Sequence, residues 1–117
     1  MEFTKVAYIA GPYSPTPDGK SIEEHINTAG AIAQLLWESG IATICPHMNS
    51  ANFSNYQLSN RDYVDGYLLM VERVDMVVLT QDWVLSKGAI REVARAIEHD
   101  IPYYVYPDVP GLRNVSG

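Results

Sequence analysis

Asp75-Met76-Val77-Val78-Leu79-Thr80 is a short apolar run closed by polar residues at both ends, and together with the segment after it this run decides the fold. Gln81 to Lys87 reads as a loop, and Gly88 to about Asp100 has the composition and spacing of a helix. A buried strand, a short connection and an amphipathic helix are the unit from which parallel α/β sheets are built. The unit recurs upstream. Val6-Ala7-Tyr8-Ile9-Ala10 is a strand stopped by Gly11-Pro12, and the Pro/Gly breakers between Tyr13 and Lys20 make that stretch a loop. Ser21 and Glu24 form a capping box, followed by Ile22, Ile26, Ala29, Ala33 and Leu36 at three-and-four spacing. Gly40 ends that helix, and Ile41 to Cys45 is a second strand halted by Pro46.

His47 to Ser59 is polar and reads as a long loop, and Asn60 to about Arg73 as a helix with Leu68, Leu69 and Val71 inward. Tyr103 to Tyr106 is a fourth strand, after which Pro107, Pro110 and Gly111 make the tail irregular. This order predicts an α/β chain with parallel pairing, right-handed crossovers and helices on both faces of the sheet. In such folds ligands bind outside the carboxyl ends of the strands, where the Gly/Pro-rich and polar segments of this chain also fall.

At 117 residues the chain has the length of one domain, here residues 1–117. With 47% apolar and 19% charged residues it has the makings of a core, unlike a disordered chain. No run approaches a membrane span, and the N-terminus lacks the pattern of a signal peptide. The single cysteine, Cys45, rules out an intrachain disulfide and suits the reducing cytoplasm. A net charge of −6, with eight scattered basic residues, argues against a nucleic-acid polymer as partner. A small anion would have to be held by local devices such as helix N-termini.

The segment Ser86-Lys87-Gly88-Ala89-Ile90-Arg91-Glu92 is a loop entering a helix. Ser86 suits a cap, Gly88 lets a ligand approach the backbone, and Ala89 shares the first turn and its free amides. Glu92 is either a surface charge paired with Arg91 or Arg95, or a carboxylate projecting over the opening. Tyr8, a phenol in a buried strand, needs a hydrogen-bond partner that a buried carboxylate would supply. Asp62 and Asp65 share a helical face as a candidate carboxylate pair, or as a solvated surface. Trp83 covers a planar ligand or fills an interface. His25, His47 and His99 lack metal-ligand spacing with one another or with Cys45, so no metal site is expected. Gly11-Pro12 after the first strand excludes a receiver domain, and Ala51 six residues after Cys45 excludes a low-molecular-weight phosphatase. Walker A and G-x-G-x-x-G loops are missing.

Tyr8-Ile9-Ala10-Gly11-Pro12, then Asp75 to Thr80, Asp82-Trp83, Ser86, Gly88-Ala89 and Glu92, resemble the nucleoside 2-deoxyribosyltransferase-like superfamily. The D-x-V-V-L…W-x-x-S-x-G-A-x-x-E form is most similar to its small DUF4406-type branch. The resemblance covers about Lys5 to Tyr106. It implies a flavodoxin- or Rossmann-like three-layer sandwich with a short, mainly parallel sheet of four or five strands. It also implies chemistry at an N-glycosidic bond without a cofactor. Glu92 would attack C1′ of the sugar, Tyr8 would orient the carboxylate, and Asp65, or Asp62 one turn earlier, would assist departure of the base. The family's usual position for that Asp holds Tyr67 here.

Family members acting on nucleosides tend to have Asp at the position of Ser86, and those acting on 5′-monophosphates have Ser, which does not repel a phosphate. The resemblance therefore implies a nucleotide substrate. Gly11, Pro12, His47, Trp83, Ser86, Gly88 and Ala89 would line its site, and the base would meet the stretch His47 to Phe53 and Trp83. Base-exchanging transfer and a catalytically silent nucleotide-binding module are the alternatives. The aromatic content and the sheet edge, with the resemblance, point to a homodimer or larger homo-oligomer.

Overall fold

The computed structural model describes residues 1–49 and 60–113. The order of elements is β1 (Lys5–Ala10), α1 (Ile22–Glu38), β2 (Ile41–Ile44), α2 (Pro46–Asn49), α3 (Asn60–Val71), β3 (Met76–Leu79), α4 (Lys87–Glu98) and β4 (Tyr103–Val105). A single 3-10 turn, Trp83–Leu85, sits between β3 and α4. The four strands pair in parallel in the order β2-β1-β3-β4. From β1 the chain crosses to β2 on one side, then returns to place β3 on the other. The topological switch therefore lies between β1 and β3, and their carboxyl ends open a crevice there.

Side-chain alternation along the central strands divides the interior in two. Ala7, Ile9, Met76 and Val78 face α1, where they meet Ala29, Ile32, Ala33 and Leu36. Tyr8, Ala10, Val77 and Leu79 face the opposite layer, where they meet Ala89, Val93 and Ala96 of α4 and Val71 of α3. Both faces of β3, and of β1 from Ala7 to Ala10, are thus buried, which explains the unbroken apolar sequence there. Asp75 joins the two strands at their start: its backbone N–H donates to Val6 O at 2.9 Å, and its Oδ2 accepts from Val6 N at 2.7 Å.

The α1 capping box forms as the sequence implies, with Ser21 Oγ accepting from Glu24 N at 3.2 Å and Glu24 Oε1 accepting from Ser21 N at 3.4 Å. The buried stripe of α1 begins at His25 rather than at Ile22, which is exposed. Leu69, expected inward, is 48% exposed, because the inward stripe of α3 runs through Leu68 and Val71. The loop expected from His47 opens instead with the single-turn helix α2, and Pro46 suits its first position. Positions 50–59, including Phe53, lie outside the described residues. The irregular tail packs back: Val109 joins the α1-side core, and Arg113 N–H donates to Ser39 Oγ at 2.8 Å. No described helix is long and apolar enough to cross a membrane.

Gly11 directly follows β1 and lies against Thr80, the residue after β3. A Cβ there would lie 2.4 Å from Thr80 Oγ1 and 2.6 Å from Thr80 Cγ2. Thr80 is buried, and its hydroxyl donates to Asp82 Oδ1 at 2.7 Å, so it has little room to move. Gly11→Ala is expected to lower stability by about 1–3 kcal/mol through overpacking. Thr80→Ala in the same chain should recover part of that loss. Urea unfolding midpoints of the two single variants and the double variant check this, and an unchanged midpoint for Gly11→Ala would count against the contact.

Candidate functional site

An open cleft of about 750 Å³ lies over the carboxyl end of β1, between the segments that follow β2 and β3. Its floor is Ile9 and Gly11, one wall is the loop from Pro12 to Pro17, and the other is the first turns of α4 from Ser86 to Glu92. Pro46 and His47 close it on the β2 side, and α3 adds Tyr63, Val64, Tyr67 and Leu68.

Glu92 meets Tyr8 at the base of this cleft. Tyr8 is fully buried, and its hydroxyl donates a short hydrogen bond to Glu92 Oε2. Burial pushes the Glu92 carboxyl up to about 7, while the Tyr8 hydroxyl and the Arg91 guanidinium pull the other way. Burial, and after it the charge of Glu92, hold the Tyr8 phenol far above its ordinary value, so it remains a proton donor. The pair is a carboxylate kept poorly solvated and fixed by one oxygen. The reading of Glu92 as a surface charge does not describe this environment. The Arg95 guanidinium is instead paired with Glu72.

Ser86 caps α4, its Oγ accepting from Ala89 N at 3.0 Å. The hydroxyl keeps its own proton to donate. The cap uses the Ala89 amide, which leaves the amides of Lys87 and Gly88, to which the helix offers no carbonyl. Gly88 is not required by packing, since a Cβ there would meet only Ser86 Oγ, at 3.7 Å. Gly11, by contrast, is required by Thr80.

On the far side, His47 is 5% exposed, and its Nε2 lies 2.9 Å from Pro12 O. A carbonyl only accepts, so Nε2 carries the proton. Burial lowers the imidazole pKa, outweighing the carbonyls of Pro12 and Gly11, and the ring is neutral at neutral pH. The proline-rich wall is fastened by Thr16 Oγ1, 3.0 Å from His25 Nε2, and by Lys20 Nζ, 3.6 Å from Asp82 Oδ2.

Of the residues singled out from sequence, Glu92, Gly11, Pro12, His47, Ser86, Gly88 and Ala89 line the cleft, with Tyr8 behind Glu92. Three do not line it. Asp62 and Asp65 are exposed on α3, because helical periodicity that turns 63, 64, 67 and 68 inward turns 62 and 65 outward. Trp83, in its 3-10 turn, packs on the α4-side core. The neighbouring Leu85 lines the cleft instead. Sequence reasoning gave no role to Tyr63, and noted Tyr67 only as the residue at the family's usual Asp position. The spacing of four from Tyr63 to Tyr67 and again to Val71 was the available signal, obscured by the more apolar Leu69.

The fold is also that of a solved enzyme, described as a 2-desoxiribosyltransferase from Leishmania mexicana. The two agree with a TM-score of 0.59 at 17% identity, over 87% of this chain and 63% of that one. The chain thus spans less than two thirds of that protein's length. No curated protein matches the sequence. The family model described as a domain of unknown function, DUF4406, matches residues 5–103, nearly the whole sheet and all its helices, and the chain belongs to that family.

Proposed function

We propose that the protein hydrolyses the N-glycosidic bond of nucleoside 5′-monophosphates, with 2′-deoxyribonucleotides as the preferred class. The observation that carries this reading is the half-buried Glu92 carboxylate held by the Tyr8 hydroxyl inside the cleft. Tyr8 engages Oε2, which leaves Oε1 to attack C1′ of the sugar. A bond forms between Oε1 and C1′ as the C1′–N bond breaks; the electron pair leaves with the base, whose nitrogen takes a proton from solvent. Water then adds at C1′, the ester bond to Glu92 breaks, and a proton and the sugar phosphate depart. A poorly solvated carboxylate suits the nucleophilic role, because little water must be stripped from it.

The start of α4 supports a phosphate on the ligand. The Ser86 hydroxyl, the Lys87 and Gly88 amides and the helix dipole offer donors and positive potential, and Gly88 leaves the approach open. This reading assigns no step to Asp62 or Asp65, neither of which lines the cleft.

Glu92→Gln should abolish release of free base, by at least a hundredfold in kcat, with folding and nucleotide binding retained. Tyr8→Phe should cost about tenfold, the worth of one orienting hydrogen bond to a charged group. Chromatography of a deoxynucleotide panel incubated with each variant reads both. Base exchange with an added free base, in place of hydrolysis, would make the protein a transferase.

Ser86→Asp isolates the phosphate, because Asp caps a helix as well as Ser does. The variant should lose affinity for a deoxynucleoside 5′-monophosphate and keep that for the deoxynucleoside. Titration calorimetry compares the four affinities, and equal wild-type affinities for the two ligands would refute the phosphate seat.

The raised Glu92 pKa also has a pH signature. The native state favours the protonated carboxyl, so its stabilising contribution is complete below the ordinary carboxylate range and is lost as pH rises through about 7. Relative to Glu92→Gln, the wild type should lose on the order of 2 kcal/mol of stability between about pH 5 and about pH 8, read from denaturant unfolding. Because the attacking form is the ionised one, kcat/KM should rise over the same window.

A further inference from the structure

The sheet ends at β4, and one side of that strand is left bare. Tyr104 turns to the α1-side core, so its neighbours Tyr103 and Val105 turn to the α4 side. There they are 44% and 37% exposed, because α4 rests on β1 and β3 rather than on β4. Around the circumference of α4, Arg95 reaches Glu72 just past α3, Glu92 meets Tyr8 of β1, and Ala89, Val93 and Ala96 lie on the sheet. Ile90 and Ile97 come next, on the flank away from α3, where β4 extends the sheet beyond β3. They are 47% and 56% exposed. Two isoleucines, a tyrosine and a valine therefore form one apolar patch along the β4 side of the molecule. Single apolar residues on a surface are ordinary, but a joined set marks a contact.

The charges beside the patch are complementary to a second copy of it. Lys87 and Arg91 lie in the first half of α4, Glu98 at its end and Asp100 just beyond, and the first turn has no acid. This order opposes the helix dipole, which favours anions at the start and cations at the end. Lys87 and Arg91 also stand four apart with like charge, and neither forms an ion pair among the described residues. Glu98 lies 3.7 Å from Arg95 Nε, but that guanidinium is already shared with Glu72. Charges placed unfavourably within one helix become favourable between two antiparallel copies, where the cations of each lie over the carboxylates and the negative dipole end of the other. A two-fold axis beside the exposed Ala94 sets Ile90 against Ile97 of the partner subunit and Lys87 against Asp100 of the partner subunit. Each pairing then occurs twice, as an isologous contact requires.

We propose that the protein forms a two-fold dimer through this patch, α4 antiparallel to the partner's α4, with Tyr103 and Val105 beneath. The patch is on the flank of α4 opposite Glu92, so each cleft stays open and the dimer stands apart from the glycosidase reading.

Sedimentation velocity on the full chain across the micromolar range should show a monomer–dimer equilibrium. Ile97→Asp should weaken the dimer by at least about tenfold, with far-ultraviolet circular dichroism unchanged. Glu98→Lys should weaken it less, and added salt should shrink that difference. Ile22→Asp, at a comparably exposed isoleucine on α1, should leave the dimer as it is. Ala94→Cys, beside the axis, should cross-link two chains under mild oxidation, whereas Glu23→Cys on α1 should not; the native Cys45 is buried. The cysteine variant keeps the test decisive if Ile97→Asp fails to fold. A wild type that stays monomeric at every concentration would overturn the proposal. A dimer untouched by Ile97→Asp would place the contact elsewhere and overturn this surface. Weakening by Ile97→Asp without a cross-link at Ala94→Cys would overturn the antiparallel register.

Discussion

The hydrogen bond from Tyr8 to Glu92 is the constraint around which the rest of the molecule is arranged. A carboxylate drawn partly out of water needs an attractive partner, and here one central strand supplies a phenol that stays protonated. For the two to meet, α4 must lie close on β1 and β3. Ala89, Val93 and Ala96 allow that approach, since small side chains bring a helix axis nearer a sheet. The Ser86 cap sets where the helix begins, and so which of its residues comes over Tyr8. Strand pairing, helix start and side-chain size thus converge on one contact.

That contact sits in a protein whose net charge of −6 repels anions at long range. The α4 start is a short-range exception. Its attraction comes from oriented amides and a hydroxyl, with Lys87 and Arg91 at the mouth. Interactions of this kind act over a few ångströms and are less sensitive to screening than the field of the whole chain. Discrimination at such a site rests on fit and hydrogen bonding rather than on bulk electrostatic capture.

The sheet was legible in the sequence because a parallel strand buried on both faces must be apolar throughout. Asp75 to Thr80 and Val6 to Ala10 have no other reading once helices come after them. The family and the α/β fold follow from the same segments. Much of the cleft lining was legible for a related reason: Gly11, Pro12, Ser86 and Gly88 are residues with backbone roles, and those roles fall at strand ends. What local pattern could not supply was the phase of α3. Asp62, Asp65 and Leu69 carry stronger chemical signals than Tyr63 and Tyr67, yet the helix is turned by its neighbours, and the tyrosines face in. Trp83 shows the same limit, its direction being set by a 3-10 turn that no spacing rule reveals.

The proline-rich wall between Pro12 and Pro17 bears on how a ligand enters. Prolines fix three of its backbone φ angles, and ties from Thr16 to His25 and from Lys20 to Asp82 hold its later part. Asp82 is itself bonded to Thr80 at the end of β3, so the wall is anchored to the sheet. A loop with so little freedom when empty has little conformational entropy to surrender when filled. This wall is therefore built as a preset edge rather than a closing flap, and one side of the cleft would keep its shape as a ligand entered.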